Sequence, residues 1–150
     1  MNIGIEIILS NQDDNIRFIK NVVRTLTYDE SKIYTAEFDG IGKDHKATIP
    51  ENVCTKEAFL NYLSSLDQLW FLSMYDLDGN DNLPDISDYS DFKKSNCKLA
   101  VFCADSAYID LYFKEEKDID RALVICEQYG YEQLSVKTMQ NDGRERFSVW

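Results

Sequence analysis

Apolar and polar residues alternate at the start of this chain: Ile3, Ile5, Ile7 and Leu9 fall on one side of an extended segment, with Gly4, Glu6 and Ile8 on the other. A period of two predicts a strand with one buried face. The period then changes. Ile16, Ile19, Val22, Val23 and Leu26 recur at helical spacing, so 13–26 reads as an amphipathic helix. Asn11 to Asp14 supply capping side chains, and Asp13 and Asp14 suit the positive end of the helix dipole. Alternation returns over 33–39. Gly40 and Gly42 then predict a turn, with 46–49 coming back as a hairpin partner until Pro50 ends the pairing. Thr55 is placed as the N-cap of a second helix carrying Ala58, Phe59, Tyr62, Leu63 and Leu66.

The nearly continuous apolar run 69–75 predicts a central buried strand. After a polar segment over 76–91, a helical turn is expected at 92–96. Strands follow at 98–104 and 107–114, joined through Asp105 and Ser106 as a tight hairpin. Ile119, Ala122, Leu123 and Cys126 mark a third helix over 118–129, with Gly130 as its stop. Strands at 134–139 and 146–150, separated by the turn residues Asn141, Asp142 and Gly143, close the chain. This order of elements predicts one α+β domain: a mainly antiparallel sheet of about seven or eight strands with three helices. No internal repeat or low-complexity linker divides the sequence.

Composition adds compartment and partner. The 150 residues are 44% hydrophobic and 13% aromatic, enough to build a packed core. With 16 basic and 27 acidic residues the net charge is −11, which argues against nucleic acid and against an anionic membrane surface as partners. Such a charge also serves simple solubility. The four cysteines, Cys54, Cys97, Cys103 and Cys126, form no CxxC pair and read as reduced, buried small hydrophobes. The apolar start lacks a basic region and carries Glu6, so no signal peptide is read. No apolar run reaches the roughly 18–20 residues of a membrane helix. The expectation is a cytoplasmic protein.

The charge is unevenly placed. From Glu57 to Asp91 there is no Lys, Arg or His, and Asp76, Asp78, Asp81, Asp85, Asp88 and Asp91 fall in its last part, with Tyr89 among them. Carboxylates around an aromatic anchor suit a basic protein partner, because charge steers encounter and a ring supplies a buried contact. These seven residues are the predicted partner-binding set, with their carboxylates facing solvent. The alternative packs Ile86, Tyr89 and Phe92 inward from a helical turn.

Candidate chemistry is sparse. Asp76-Leu77-Asp78-Gly79 after a buried strand resembles the first motif of haloacid-dehalogenase-type phosphatases. Its mid-chain position, Asn80 in place of Thr and the short remaining chain count against that. A calcium-loop spacing fails too, because the glycine arrives at loop position four rather than six. A solvated turn explains the motif without a metal. Gly40-Ile41-Gly42-Lys43 lacks phosphate-loop spacing, and His45, the single histidine, has no predicted nucleophile beside it. No cofactor is implied.

Three stretches carry a family likeness: Gly4-Ile5-Glu6-Ile7; Asn96-Cys97-Lys98-Leu99-Ala100-Val101 with Asp105, Ser106 and Tyr108; and Arg146-Phe147-Ser148-Val149-Trp150. They resemble a family of small proteins of unknown function found mainly in bacilli, most strongly over 91–150. The resemblance implies a bacterial cytosolic protein and brings no activity or site residues. The functional expectation is a non-enzymatic acidic binding protein, on the pattern of an immunity or inhibitor protein that neutralises a basic toxin or nuclease. The alternatives are a small metal-dependent hydrolase using Asp76 and Asp78, and a housekeeping domain whose charge confers solubility.

Overall fold

The computed structural model describes residues 1–46, 50–78, 85–144 and 146–149. Among these, seven strands form one antiparallel sheet in the order β3-β2-β4-β5-β6-β1-β7. The strands are β1 (Asn2–Leu9), β2 (Lys32–Gly42), β3 (Val53–Thr55), β4 (Leu66–Asp76), β5 (Leu99–Ala104), β6 (Tyr108–Phe113) and β7 (Tyr131–Thr138). The helices are α1 (Asn15–Leu26), α2 (Lys56–Ser64), the short α3 (Tyr89–Lys94) and α4 (Glu116–Cys126). The fold is α+β and mainly sheet, as the alternation predicts. No helix among the described residues is long and apolar enough to cross a membrane.

Strand alternation sends side chains to two cores. Ile5, Ile7, Leu9, Leu72, Met74, Val101 and Leu111 face α1, α2 and α4 and form the larger one with Phe18, Phe59 and Ile119. On the opposite face Tyr75, Ala100, Phe102 and Tyr112 meet α3 and the C-terminal segment through Tyr89, Phe92 and Phe147. Ile3 belongs to this second cluster, not with Ile5, because a register shift between Asn2 and Gly4 turns the strand over. Gly4 sits so close to β6 that a Cβ there would lie 2.1 Å from the Leu111 carbonyl oxygen.

Several expectations change. A 3-10 turn (Gln12–Asp14), capped by the Asn11 side chain, precedes α1. β2 runs through Gly40 and Gly42, and the turn falls at Lys43–His45 instead. A Cβ on Gly40 would meet the Gln68 carbonyl at 2.7 Å, so this glycine serves strand packing. The return strand expected at 46–49 lies largely outside the described residues. β3 pairs with the start of β2 in its stead. Thr55 caps α2 by accepting from the Ala58 N–H at 3.1 Å. Asp105 and Ser106 both take left-handed φ, 48° and 67°, and turn β5 into β6 as expected. α4 ends at Cys126, and Gly130 does not adopt the left-handed backbone of a helix stop. Its carbonyl accepts from Ser10 N–H.

The final strand expected at 146–150 is absent among the described residues 146–149. The chain leaves the edge of β7, crosses the sheet's second face and buries Phe147 against Phe102 and Tyr112, with ring centroids 4.9 and 4.8 Å apart.

Candidate functional site

The fold divides the acidic segment 76–91 between a buried strand end and the surface. β4 extends to Asp76, which pairs with Ile33 and Leu99 on the flanking strands. That pairing draws the side chain inside: Asp76 is 0% exposed. Its Oδ1 accepts from the Asp78 N–H at 2.9 Å, closing an Asx turn with Asp78 at φ 52°. Its Oδ2 has no hydrogen-bond partner among the described residues. Burial pushes the Asp76 carboxyl above its ordinary range. The Asp78 N–H and the Ser31 hydroxyl oppose that rise, and the Asp78 charge adds to it. Asp78 is exposed and pairs with Lys98 at 3.2 Å, whose ammonium also lies 4.0 Å from the Tyr28 ring centre.

Two members of the predicted partner-binding set therefore do not face solvent. Asp76 is held in the sheet, and Tyr89, 8% exposed, packs against Phe92 and Tyr112. The three-residue spacing of Ile86, Tyr89 and Phe92 is that of an inward-packed turn. Asp88 caps α3 by accepting from the Asp91 N–H at 2.9 Å, while Asp91 accepts from the Ser87 N–H at 3.0 Å. Both are half-buried and serve the local fold. Asp85 is exposed. Asp81 lies outside the described residues.

A second cluster sits on the sheet face opposite α1, α2 and α4. Lys137 on β7 is only 6% exposed. Its Nζ lies 3.1 Å from Asp142, 3.5 Å from Glu6 and 3.5 Å from Asp110, and donates to the Tyr112 hydroxyl at 3.4 Å. Tyr112 donates in turn to Asp142 at 2.9 Å. Arg144 grips Asp110 Oδ2 through Nε at 3.1 Å and Nη2 at 2.6 Å, and donates through Nη1 to the Ser148 carbonyl at 2.6 Å. A cavity of about 320 Å³ opens beside Glu6, Asp110, Lys137, Gly143 and Arg144. Burial first, then the Asp110 and Asp142 charges, drive the Tyr112 phenol well up. Both cations are committed to internal partners, so the cluster pins the C-terminal segment to the sheet. Nearby, Glu37 accepts from Ser73, Ser148 and the Val149 N–H at 2.5, 2.8 and 3.0 Å.

Sequence reasoning passed over this cluster because Glu6 and Arg144 lie at opposite ends of the chain. The available signal was the charged position interleaved among apolar ones: Glu6 between Ile5 and Ile7, and Asp110 between Ile109 and Leu111.

A third arrangement gathers at the end of the sheet that holds the β5–β6 turn. Asn15 Nδ2 donates to the Leu69 carbonyl at 2.7 Å, and the Ser106 N–H donates to the Trp70 carbonyl at 3.1 Å. These bonds hold the start of α1, the start of β4 and the β5–β6 turn around a small crevice lined by Asp13, Asn15, Asp67, Gln68, Trp70 and Ser106, among others. Asp13 and Asp67 are exposed there, Asp105 is exposed beside Ser106 on the turn, Trp70 is half-exposed, and no Lys or Arg is among the described residues that line the crevice. Asp67 was legible as part of the cation-free stretch from Glu57. Its convergence with Asp13 and Asp105 was not, because the three come from separate elements.

His45 is exposed in its turn, with φ 63°. All four cysteines are free and buried, and burial pushes the Cys103 and Cys126 thiols up to about 12. Among the described residues no group of three or more His, Cys, Asp or Glu side chains is placed to hold a metal ion.

Comparison with known proteins agrees with the likeness carried by the end motifs. An uncharacterized protein, YncE of Bacillus subtilis (strain 168), is 28% identical over 64 residues, which span 43% of this chain and 42% of that protein. No solved structure matches. A family model described as protein of unknown function (DUF2691) matches residues 2–148, and the chain belongs to that family.

Proposed function

We propose that this chain is a non-enzymatic acidic binding protein whose partner is a basic protein, on the immunity or inhibitor pattern. The observation that carries this reading is the crevice end of the sheet. Asp13 and Asp67 line the crevice beside a half-exposed tryptophan, Asp105 is exposed on the adjoining turn, and no cation is among the described residues that line it. Carboxylates in such an arrangement speed the encounter with a positive surface, and an aromatic ring slows its departure. Among the residues expected at 76–91, Asp85 keeps an exposed carboxylate, and Asp78 is exposed but paired with Lys98. The reading moves the contact's centre from Tyr89 to Trp70.

A basic protein encoded beside this gene is the partner to test. Asp67→Lys combined with Asp105→Asn changes the charge of the crevice by three while keeping a residue that tolerates left-handed φ at 105. Association measured by stopped flow is expected to slow about tenfold at 50 mM salt. The difference should shrink to about twofold at 0.5 M, where screening acts over only a few ångströms. Asp85→Lys, away from the crevice, should change the rate less. Equal association rates for the native chain and the double variant at low salt would remove the crevice from the interface.

A further inference from the structure

Lys56 is a cation drawn almost out of water by the end of a helix. It is 9% exposed, and its Nζ donates to the Arg24 and Thr27 carbonyls at 3.1 and 3.0 Å. These carbonyls lie in the last turn of α1 and at its C-cap, where the helix leaves acceptors unpaired and its dipole is negative. Lys56 therefore reverses the sign of that helix end. An ammonium has three N–H groups, and two are spent on the carbonyls. The third has only the Asp29 carboxylate, 3.8 Å away on a fully exposed side chain and beyond hydrogen-bond distance.

The same ammonium lines a groove of about 480 Å³ between α1 and α2, the size of a small-molecule site. The groove shares no lining residue with the crevice beside Trp70. Arg24 lines it from α1, and Glu57 and Asn61 line it from α2, all three exposed. None of these three side chains makes a hydrogen bond or an ion pair among the described residues. The lining thus carries two cations, Arg24 and Lys56, and two carboxylates, Asp29 and Glu57. A plain anion would be attracted by one pair and repelled by the other, and so would a plain cation. A ligand with one charge of each sign is attracted by both. We infer that the groove between α1 and α2 binds a free amino acid. Its carboxylate is taken by the Arg24 guanidinium and by the third N–H of Lys56, in place of Asp29. Its ammonium is taken by Glu57. The fully exposed Asp29 side chain is free to swing aside, whereas Lys56 is already fixed by its two carbonyls, so little ordering accompanies binding at that end. The half-buried Leu60 supplies apolar surface for the ligand's side chain.

The test titrates the whole ¹⁵N-labelled chain with each of the common free amino acids up to about 10 mM. At least one should bind with a Kd of about 1 mM or tighter and shift the amide signals of Arg24, Thr27, Lys56 and Asn61. The carboxamide of that amino acid and its N-acetyl derivative each lack one charge, and each should bind about tenfold more weakly or worse. Arg24 and Glu57 are exposed, so Arg24→Gln and Glu57→Gln should keep the native far-UV dichroism. Arg24→Gln should erase the preference for the free acid over the carboxamide and keep the preference for the free amine over the N-acetyl form. Glu57→Gln should do the reverse. A loss of fold or a nonspecific loss of affinity would not move the two preferences separately. No shift at these amides with any amino acid at about 10 mM overturns the proposal. So does binding in which the carboxamide and the N-acetyl form match the free amino acid, or in which the two variants leave both preferences as they were.

Discussion

Asp76 is the residue whose chemistry departs furthest from its sequence context. A Pro- and Gly-punctuated acidic stretch predicts a solvated carboxylate, but the ladder with Ile33 and Leu99 places it inside. One oxygen is met by the Asp78 N–H, and the other has no hydrogen-bond partner among the described residues, with the Ser31 hydroxyl close by. Because burial raises its pKa above the unfolded value, the folded state binds this proton more tightly. The resulting penalty is absent below the ordinary carboxyl range and grows as pH rises through the folded pKa. Asp76→Asn keeps the accepting oxygen and removes the charge. Its stability by urea denaturation should match the native protein within about 1 kcal/mol at pH 4 and exceed it by about 1–3 kcal/mol at pH 8. A variant that instead loses ground as pH rises would mean that the ionised carboxylate has a cationic partner, and would reopen the metal-dependent reading of Asp76 and Asp78.

At the scale of elements, strands with a single buried face were the most legible. Ile5, Ile7 and Leu9 alternate in sequence and in burial alike, whereas β5 is apolar throughout and buried on both faces. β3 escaped because three residues are too few to show a period. The closing Phe147-Ser148-Val149 alternates like a strand without pairing as one, because it crosses the sheet's second face, where Arg144 and Glu37 take its backbone groups. α3 shows how a functional reading and a structural one compete for the same residues. Asp88 and Asp91 look like a charged rim, but each hydrogen-bonds a backbone N–H at the helix start. Asp88→Ala should cost about 1 kcal/mol in chemical denaturation, and Asp88→Asn, which keeps a capping oxygen, only a few tenths. Equal losses in the two variants would show that the charge of Asp88, not its cap, stabilises this end.

Across the whole molecule, the sheet carries a helix-covered core on one side and an aromatic core on the other, and the second is closed by the C-terminal segment. Neither that closure nor the charged cluster behind it could be read from the sequence, because both depend on which strands become neighbours. Lys137 meets Glu6 and Asp110 only once β7, β1 and β6 lie side by side. The segment is fastened at Asp142, at Arg144 and at Ser148–Val149, each time to a side chain of the sheet. Phe147 lies between these fastenings, against rings from α3, β5 and β6. If the segment were a tail lying on a finished surface, Phe147→Ala would be a surface change worth less than about 0.5 kcal/mol. Because its ring is part of the core of two central strands, truncation should cost about 3 kcal/mol or more. The loss should appear in a single unfolding transition followed alike by tryptophan fluorescence and far-UV dichroism. An early, separate fluorescence change with the main transition unmoved would mark the C-terminal segment as an independent unit rather than the second wall of the fold.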